Sequence, residues 1–352
     1  MPVSVISTPR GYKSTEPVNQ DYPIVQTFGS FGGPSKWSGG DLSNEGFVYF
    51  APFWNTTILK VNPRTRDYSL FGGPFIGTNK WQGFTKAPNG HLYAAPSQAT
   101  TVLKVDTSDD STTQFGSLAG TNLKYIGSVL APNGMIYCVP YAATTILKID
   151  PTTDTVSTFG SFSAPSCVGG CLALNGKIYC APDSGGSIIV IDPTTDTVST
   201  ITSGINSWGG FVLAYNNKIY GLQLNSSPAG NVQVDPSDDS LTAIPDAING
   251  YYGSVLGPNG KIYGVPIGGV GVKEFDPETF QSKTLDITGP VQGIQWTGGV
   301  LTPNGKIFCA PLESNRILEI SNIGQVTEDM YTIPDNISGL AATAYNKHMN
   351  KY

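Results

Sequence analysis

Short apolar runs separated by turn residues recur along the whole chain. In a representative stretch, an apolar run led by glycine at 127–130 is followed by Pro-Asn-Gly and then by runs at 135–138, 146–149 and 156–159. Each run has the length of a β-strand, and no helical periodicity appears before the C-terminal tail. Pro-Asn-Gly supplies the backbone angles that a tight hairpin turn requires. The pattern therefore predicts a succession of short antiparallel strands.

This unit occurs seven times. The turn glycine recurs at intervals of 41 to 45 residues, with Asn217 in its place in the fifth copy; the glycines are Gly46, Gly90, Gly134, Gly176, Gly260 and Gly305. A period of about 40–45 residues with four strands per copy is typical of β-propeller blades. We therefore predict an all-β, seven-bladed β-propeller with four antiparallel strands per blade.

A closed ring needs a terminal strand, because an open ring leaves two exposed sheet edges. The sequence at 27–31, Thr-Phe-Gly-Ser-Phe, is repeated at 158–162, so we expect the N-terminal run to complete the last blade as its outer strand. The alternative uses the run 330–333 and leaves residues 1–38 as an arm. The predicted organisation is an extended or disordered arm at 1–22, a propeller at 23–344 and a tail at 345–352.

The repeat resembles a propeller type of phage, viral and protist proteins, in which Asn-Gly-Lys-Ile-Tyr-Cys-x-Pro is followed by Ile-Asp-Pro-x-Thr. Residues 175–182 and 191–195 carry both phrases, and the resemblance extends over residues 24–344. It is more distantly similar to streptogramin-lyase and lactonase-like propellers, which share the Asn/Asp-Gly hairpin and the Ile-Asp-Pro turn. The shared residues are turn and core positions, so the resemblance implies the fold and not an activity.

The inner strands contain few residues that could act in catalysis. Counted from the glycine that begins each inner strand, their only ionisable residues are Asp41 and Lys86. The resemblance to lyases implies a histidine acid/base and a metal-held substrate, yet the only histidines are His91, which we interpret as a surface residue, and His348 in the tail. A metal site would need several converging carboxylates or amides. The sequence therefore predicts no catalytic residue, no metal and no cofactor.

Two further groups have structural interpretations. Cys167 and Cys171 lack a second cysteine pair or nearby histidines, and we interpret them as packed thiols and not as zinc ligands. Aspartates recur in the turns between the third and fourth strands of the copies, as at Asp150 and Asp154. We interpret them as caps of Asx turns, with calcium binding as the alternative.

One set of positions in the repeat is a candidate binding site. These positions lie two residues before the glycine that begins each inner strand. The fourth copy has Cys167 there, and the other six copies have an aromatic residue. The six are Trp37, Trp81, Tyr125, Trp208, Tyr251 and Trp296. Such side chains either wedge between neighbouring blades or form a ring at the channel mouth that stacks on a sugar, a peptide or a partner loop. These six are the predicted binding residues.

Composition narrows the class of partner. The net charge of −6 and the 13% of charged residues disfavour nucleic acid and anionic membranes. The chain has no apolar run that could span a bilayer, and its N-terminus lacks a secretory signal pattern. Five cysteines are an odd number, and three of them occupy apolar repeat positions, which favours a reducing compartment over a disulfide framework.

We therefore expect a non-enzymatic binding or assembly propeller. The expected setting is a virion assembled in the host cytoplasm, with the protein as a phage tail, fibre or capsid-decorating component. Other virion or scaffold proteins, or a host-surface glycan or protein, are the expected partners. An intracellular interaction scaffold is the first alternative, and a lyase- or lactonase-like enzyme is the second.

Overall fold

The computed structural model describes residues 22–324, apart from 121, 164, 185, 205–206, 226–229, 247–248, 269–270 and 290–294. In this part of the chain, 28 β-strands form seven four-stranded sheets. The sheets confirm the predicted all-β, seven-bladed β-propeller with four antiparallel strands per blade. Within the same residues, no helix has the length and apolar character needed to cross a membrane.

The strands follow one another blade by blade, and β1 (Ile24–Phe28) precedes the first inner strand. Grouped by blade, the others are β2 (Trp37–Leu42), β3 (Val48–Pro52), β4 (Ile58–Val61) and β5 (Tyr68–Phe71); β6 (Trp81–Lys86), β7 (Leu92–Pro96), β8 (Val102–Asp106) and β9 (Ser111–Phe115); β10 (Tyr125–Leu130), β11 (Ile136–Pro140), β12 (Ile146–Asp150) and β13 (Thr155–Phe159); β14 (Cys167–Leu172), β15 (Ile178–Pro182), β16 (Ser187–Asp192) and β17 (Thr197–Thr202); β18 (Trp208–Leu213), β19 (Ile219–Gln223), β20 (Asn231–Asp235) and β21 (Ser240–Ile244); β22 (Tyr251–Leu256), β23 (Ile262–Pro266), β24 (Val272–Phe275) and β25 (Ser282–Leu285); β26 (Trp296–Leu301), β27 (Ile307–Pro311) and β28 (Ile317–Ser321).

The strands of a blade are named A, B, C and D from the channel outward, as in β10-β11-β12-β13. Strand B is buried along its whole length, as in β11, because neighbouring blades cover both of its faces. Strand D lies at the outer rim, so β9 exposes alternate Ser and Thr side chains to water. The A–B turns follow the expected chemistry: Gly134 has a φ of +80°, and its N–H donates to the Ala131 carbonyl at 3.0 Å.

This connectivity creates two different faces. Tyr125 at the start of strand A lies opposite Pro140 at the end of strand B, whereas Leu130 lies opposite Ile136. The B–C loops and the linkers between blades therefore share one face, named the loop face. The A–B and C–D turns share the other, named the turn face.

The N-terminal strand closes the ring. Strand β1 pairs antiparallel with β28, and Ile24 lies opposite Ser321 while Phe28 lies opposite Ile317. It thus serves as strand D of blade 7, as the repeated Thr-Phe-Gly-Ser-Phe sequence predicts. The alternative closing run at 330–333 lies outside the described residues, as do the predicted arm up to residue 21 and the tail at 345–352.

Neighbouring blades are clasped together on the turn face. The Tyr93 hydroxyl donates to Asp154 Oδ1 at 2.9 Å, and Lys104 Nζ lies 2.6 Å from Asp154 Oδ2. Tyrosine and lysine come from one blade and the aspartate from the C–D turn of the next. The same arrangement joins blade 1 to blade 2 and blade 3 to blade 4. The aspartates that precede these turns cap them, as Asp150 does by accepting the Thr152 N–H at 2.8 Å, so the Asx-turn interpretation describes them.

The joint where the ring closes uses the opposite charges. Glu319 stands on strand C of blade 7, where blades 1 to 3 have lysine, and Arg66 stands in the turn of blade 1, where blades 2 to 5 have aspartate. Arg66 Nε lies 2.6 Å from Glu319 Oε2, and Lys306 Nζ lies 2.9 Å from Glu319 Oε1. Because the Glu319 side chain is fully buried, this carboxylate depends on both cations for compensation.

Candidate functional site at the mouth of the central channel

The inner strands meet at a ring of seven glycines. Each strand A has a β-bulge near its start and a glycine with positive φ at this point; the seven, named the glycine ring, are Gly39, Gly83, Gly127, Gly169, Gly210, Gly253 and Gly298. A Cβ atom on Gly39 would lie 2.7 Å from the Gly83 Cα, one on Gly298 would lie 2.9 Å from the Gly39 Cα, and Cβ atoms on the other five would lie 3.0 to 3.7 Å from the Cα of the next glycine. Only glycine permits backbones to come this close.

The glycine ring leaves little space on the axis. Besides the glycines, the cavity is lined by residues that immediately follow the predicted aromatic positions; among them are Ser38, Gln82, Ile126, Tyr252 and Thr297. Its volume is about 50 Å³, enough for a few water molecules. Pockets for drug-sized ligands have volumes of roughly 300–1,000 Å³. In this conformation the axis is therefore closed to such ligands.

Tyr252 fills part of the remaining space. Its hydroxyl lies 3.4 Å from Gln82 Nε2, so a side chain of blade 6 reaches one of blade 2 across the channel. Burial raises the pKa of Tyr252 above its ordinary value, and the nearby Asp183 and Tyr141 raise it further. Burial also raises the pKa of Asp183. The phenol therefore acts as a neutral hydrogen-bonding group at neutral pH and not as a base.

Two polar atoms in this cavity are buried without a hydrogen-bond partner in the described part of the chain. They are Gln82 Oε1 and Ser254 Oγ. Buried polar atoms usually bind a protein group or an ordered water molecule, and the cavity has room for water. The arrangement suits small polar molecules on the axis, and it holds no nucleophile paired with a base.

The six predicted binding residues lie behind this lining. All are at most 3% exposed; they are Trp37, Trp81, Tyr125, Trp208, Tyr251 and Trp296. The tryptophan N–H groups donate to backbone carbonyls of their own blades, as Trp81 does to Thr101 at 2.7 Å. Trp208 packs in one cluster with Tyr179 of blade 4 and Tyr220 of blade 5. The structure thus describes these residues as wedges between blades, and their role in binding remains a prediction.

The predicted non-catalytic residues have structural surroundings. His91 lies on the turn face, and its Nδ1 atom is 3.5 Å from Asp106 Oδ1. Cys167 and Cys171 are buried free thiols, and burial raises the pKa of Cys167 to about 12, which disfavours the reactive thiolate. Asp41 accepts backbone N–H groups, including that of Leu42 at 2.8 Å. Among the described residues, no cluster of three or more histidine, cysteine, aspartate or glutamate side chains is arranged to hold a metal.

Comparisons with known proteins agree with this fold. Residues 83–245, most of blades 2 to 5, match a family model described as a repeat of unknown function (DUF6923). No curated protein sequence matches the chain. A streptogramin B lyase structure has a TM-score of 0.72 at 14% identity, covering 85% of this chain and 97% of the lyase.

Two further structures share the architecture. A catalytically inactive virginiamycin B lyase from Staphylococcus aureus with quinupristin has a TM-score of 0.73 at 12% identity, covering 85% of this chain and 99% of that one. The extracellular domain of a candidate hybrid two-component system from B. thetaiotaomicron has a TM-score of 0.65 at 12% identity, covering 85% and 42%. At these identities the similarity shows the fold alone, which serves both lyases and extracellular domains.

Proposed function

We propose that the chain is a non-catalytic binding and assembly propeller that contacts its partners through the loop face. The closed channel carries this proposal, because the glycine ring and Tyr252 leave about 50 Å³ on the axis. The ionisable side chain in its lining is Tyr252, and burial raises the pKa of this phenol above its ordinary value. A neutral phenol supplies a hydrogen bond but is not a base at neutral pH.

The loop face also offers apolar contact surface. Trp54, in the B–C loop of blade 1, is 39% exposed, and Ile76, in the following linker, is 82% exposed. Ile76 is the most exposed large apolar side chain among the described residues, and exposed apolar surface favours protein contacts. Within this class we propose a virion role, as a phage tail, fibre or capsid-decorating component. An intracellular interaction scaffold is the alternative.

Sedimentation of assemblies from the native source tests the binding proposal. The full chain should co-sediment with particles, and Trp54→Ala on the loop face should reduce the bound fraction. Tyr215→Ala is the matched control, because Tyr215 is 43% exposed on the turn face. Co-sedimentation that depends on Tyr215 and not on Trp54 would contradict an interface on the loop face.

A lyase-like activity is the second candidate, because two solved lyases share the fold. Incubating the full chain with quinupristin and Mg²⁺, followed by mass spectrometry and chromatography, tests it directly. We expect unchanged quinupristin. A ring-opened product that depends on the protein would refute the non-catalytic proposal.

A further inference from the structure

A second cavity lies on the loop face of blade 2, away from the channel. It has a volume of about 400 Å³, which is within the range of small-molecule sites. One wall is the linker at 76–80, the other is the B–C loop at 98–101, and Trp81 and Gln114 complete the lining. Unlike the axial cavity, this one has room for a monosaccharide.

The hydrogen-bonding groups of this cavity are amides and hydroxyls. Thr101 Oγ1 donates to Gln114 Oε1 at 2.8 Å, which fixes the amide and leaves its NH₂ group without an acceptor among the described residues. The Gln98 side chain likewise has no hydrogen-bond partner there. Thr78 and Thr100 add two exposed hydroxyls. Amides beside hydroxyls can pair with the adjacent hydroxyls of a sugar as both donors and acceptors.

The cavity also contains a buried positive charge. Lys80 is 3% exposed, and its ammonium donates to the carbonyls of Gly77 at 2.7 Å and Phe53 at 3.2 Å. The surrounding segments, 53–57, 72–79 and 97–101, contain no ionisable residue. Carbonyl dipoles therefore solvate the charge without neutralising it, and an anion in the cavity would gain from it.

These amides break the symmetry of the repeat. The equivalent position of Gln98 in blade 3 is Ala142, and that of Gln114 is Thr158, whereas Lys80 has the counterpart Lys124. Lys124 Nζ donates to the Gly120 carbonyl at 3.0 Å, as Lys80 does to Gly77. The lysine thus fixes the linker in both blades, while the two amides have no counterpart in blade 3.

We propose that this cavity on blade 2 binds a carboxylate-bearing sugar. Gln98 and Gln114 pair with its hydroxyls, the uncompensated Lys80 ammonium attracts its carboxylate, and the exposed Ile76 covers its apolar face. The inference rests on the proposed binding function, because the sugar is held and not converted. A peptide would need an extended groove or a free strand edge, and a volume of about 400 Å³ suits a single sugar residue.

Calorimetric titration of the full chain with methyl glucuronide, N-acetylneuraminate and neutral methyl glucoside tests the proposal. We expect the acidic sugars to bind about tenfold more tightly than the neutral one. Gln98→Ala combined with Gln114→Ala should weaken both kinds of sugar about tenfold or more. Thr158→Ala, at the equivalent outer-strand position of blade 3, should change nothing. No binding at about 10 mM sugar, or equal loss in both variants, would overturn the site.

The charge has its own test. Lys80→Met should remove the preference for acidic sugars and leave neutral-sugar affinity unchanged, while Lys124→Met controls for loss of the linker contact. Burial alone lowers the pKa of Lys80 to about 8. Acidic-sugar affinity of the unmodified chain should therefore fall several-fold between about pH 6.5 and pH 9.5. This second measurement applies even if Lys80→Met does not fold, and a preference that persists at high pH would refute the role of Lys80.

Sugar binding and assembly remain distinguishable. Trp54→Ala tests the assembly interface. Trp54 lies outside the cavity lining but donates to Asn79 Oδ1 in the linker wall at 2.6 Å, so sugar affinity is measured on this variant as well. If co-sedimentation depends on Trp54 and no sugar binds, the cavity proposal fails and the binding function stands. If acidic sugars bind and co-sedimentation does not occur, the cavity proposal stands without the assembly role.

Discussion

The glycine ring makes a quantitative prediction about the closed channel. Gly39→Ala adds a methyl group at a φ of +59°, and this group would lie 2.7 Å from the Gly83 Cα. Gly83 has little freedom to retreat, since it belongs to the same circle of backbone contacts and approaches Gly127. Relief of the clash therefore requires blades 1 and 2 to separate slightly at the axis.

Two controls isolate the contribution of the channel. Gly46→Ala also requires a positive φ, +85°, but its methyl group would meet nothing within 4 Å. Gly127→Ala has a φ of +79°, and its methyl group would make an ordinary contact of 3.7 Å with the Gly169 Cα. These two variants report the cost of the left-handed backbone, whereas Gly39→Ala adds the steric clash.

The expected magnitudes differ enough to be measured. A left-handed backbone costs an L-residue roughly 1–2 kcal/mol, and overpacking typically costs about 1–3 kcal/mol more. We therefore expect a free-energy loss of about 1–2 kcal/mol for Gly46→Ala and Gly127→Ala, and of about 2–5 kcal/mol for Gly39→Ala. Equilibrium unfolding in urea, followed by tryptophan fluorescence, gives the order of midpoints. A Gly39→Ala midpoint equal to that of Gly46→Ala would refute the close contact of the inner strands.

Two other variants test the joints between blades. Trp208→Phe should lower the free energy of unfolding by about 1 kcal/mol, because the hydrogen bond from the indole N–H to the Gly230 carbonyl is lost. Trp208→Ala should lower it by about 3–5 kcal/mol, because the substitution leaves a cavity. Thermal unfolding would show this, and a fully stable Trp208→Ala would contradict the wedge. Burial alone would raise the pKa of Glu319, but Arg66 and Lys306 outweigh burial and hold that pKa below 4.5. The carboxylate therefore contributes stability above about pH 4.5, and this contribution is lost as pH falls through the lowered pKa. Glu319→Gln should cost about 2 kcal/mol at pH 7 and flatten the acid side of a stability-against-pH curve, whereas an unchanged curve would contradict the closing joint.

Much of the fold could be predicted from the chain because its strongest signals are local. Apolar runs and Pro-Asn-Gly turns specify strands and hairpins, and their spacing specifies seven blades. The repeated Thr-Phe-Gly-Ser-Phe sequence favours 26–31 as the closing strand, but it does not exclude 330–333, which also has the pattern of an outer strand. Pairing of β1 with β28 is a contact between residues nearly a whole chain apart, and no local pattern encodes it.

The site shows a different limit. The repeat places the six aromatic residues at the starts of the inner strands, where the structure has them, but it does not give the direction of their side chains. Neighbouring residues of a strand point to opposite sides, so a buried Trp81 places Gln82 toward the channel, and Tyr251 does the same for Tyr252. This alternation was the available signal for the channel lining. The bulge that brings the glycine ring together depends on contacts between blades and has no such signal.

The Tyr–Lys–Asp clasps between blades could not be predicted from the sequence, for a related reason. Tyr93 and Asp154 are members of different repeats, and each has a local explanation, as a strand residue and as a turn residue. Their contact follows only from the rotation between consecutive blades. Once that geometry is known, the equivalent positions of the next two blades identify Tyr137 and Asp196 as the next clasp.

Positions at which one blade differs from the others help to distinguish residues that serve folding from residues that serve binding. On the turn face, Glu319 and Arg66 carry the reverse of the charges that lysine and aspartate carry at the joints of blades 1 to 4. Both charges are reversed together, so the ion pair between blades 7 and 1 is preserved. On the loop face, Gln98 and Gln114 stand where blade 1 has Trp54 and Leu70 and blade 3 has Ala142 and Thr158. The repeated strands and turns do not require these differences, and differences of this kind on one face are what recognition of an asymmetric ligand requires. The loop face is therefore where binding should be sought, and blade 2 is the first place to test it.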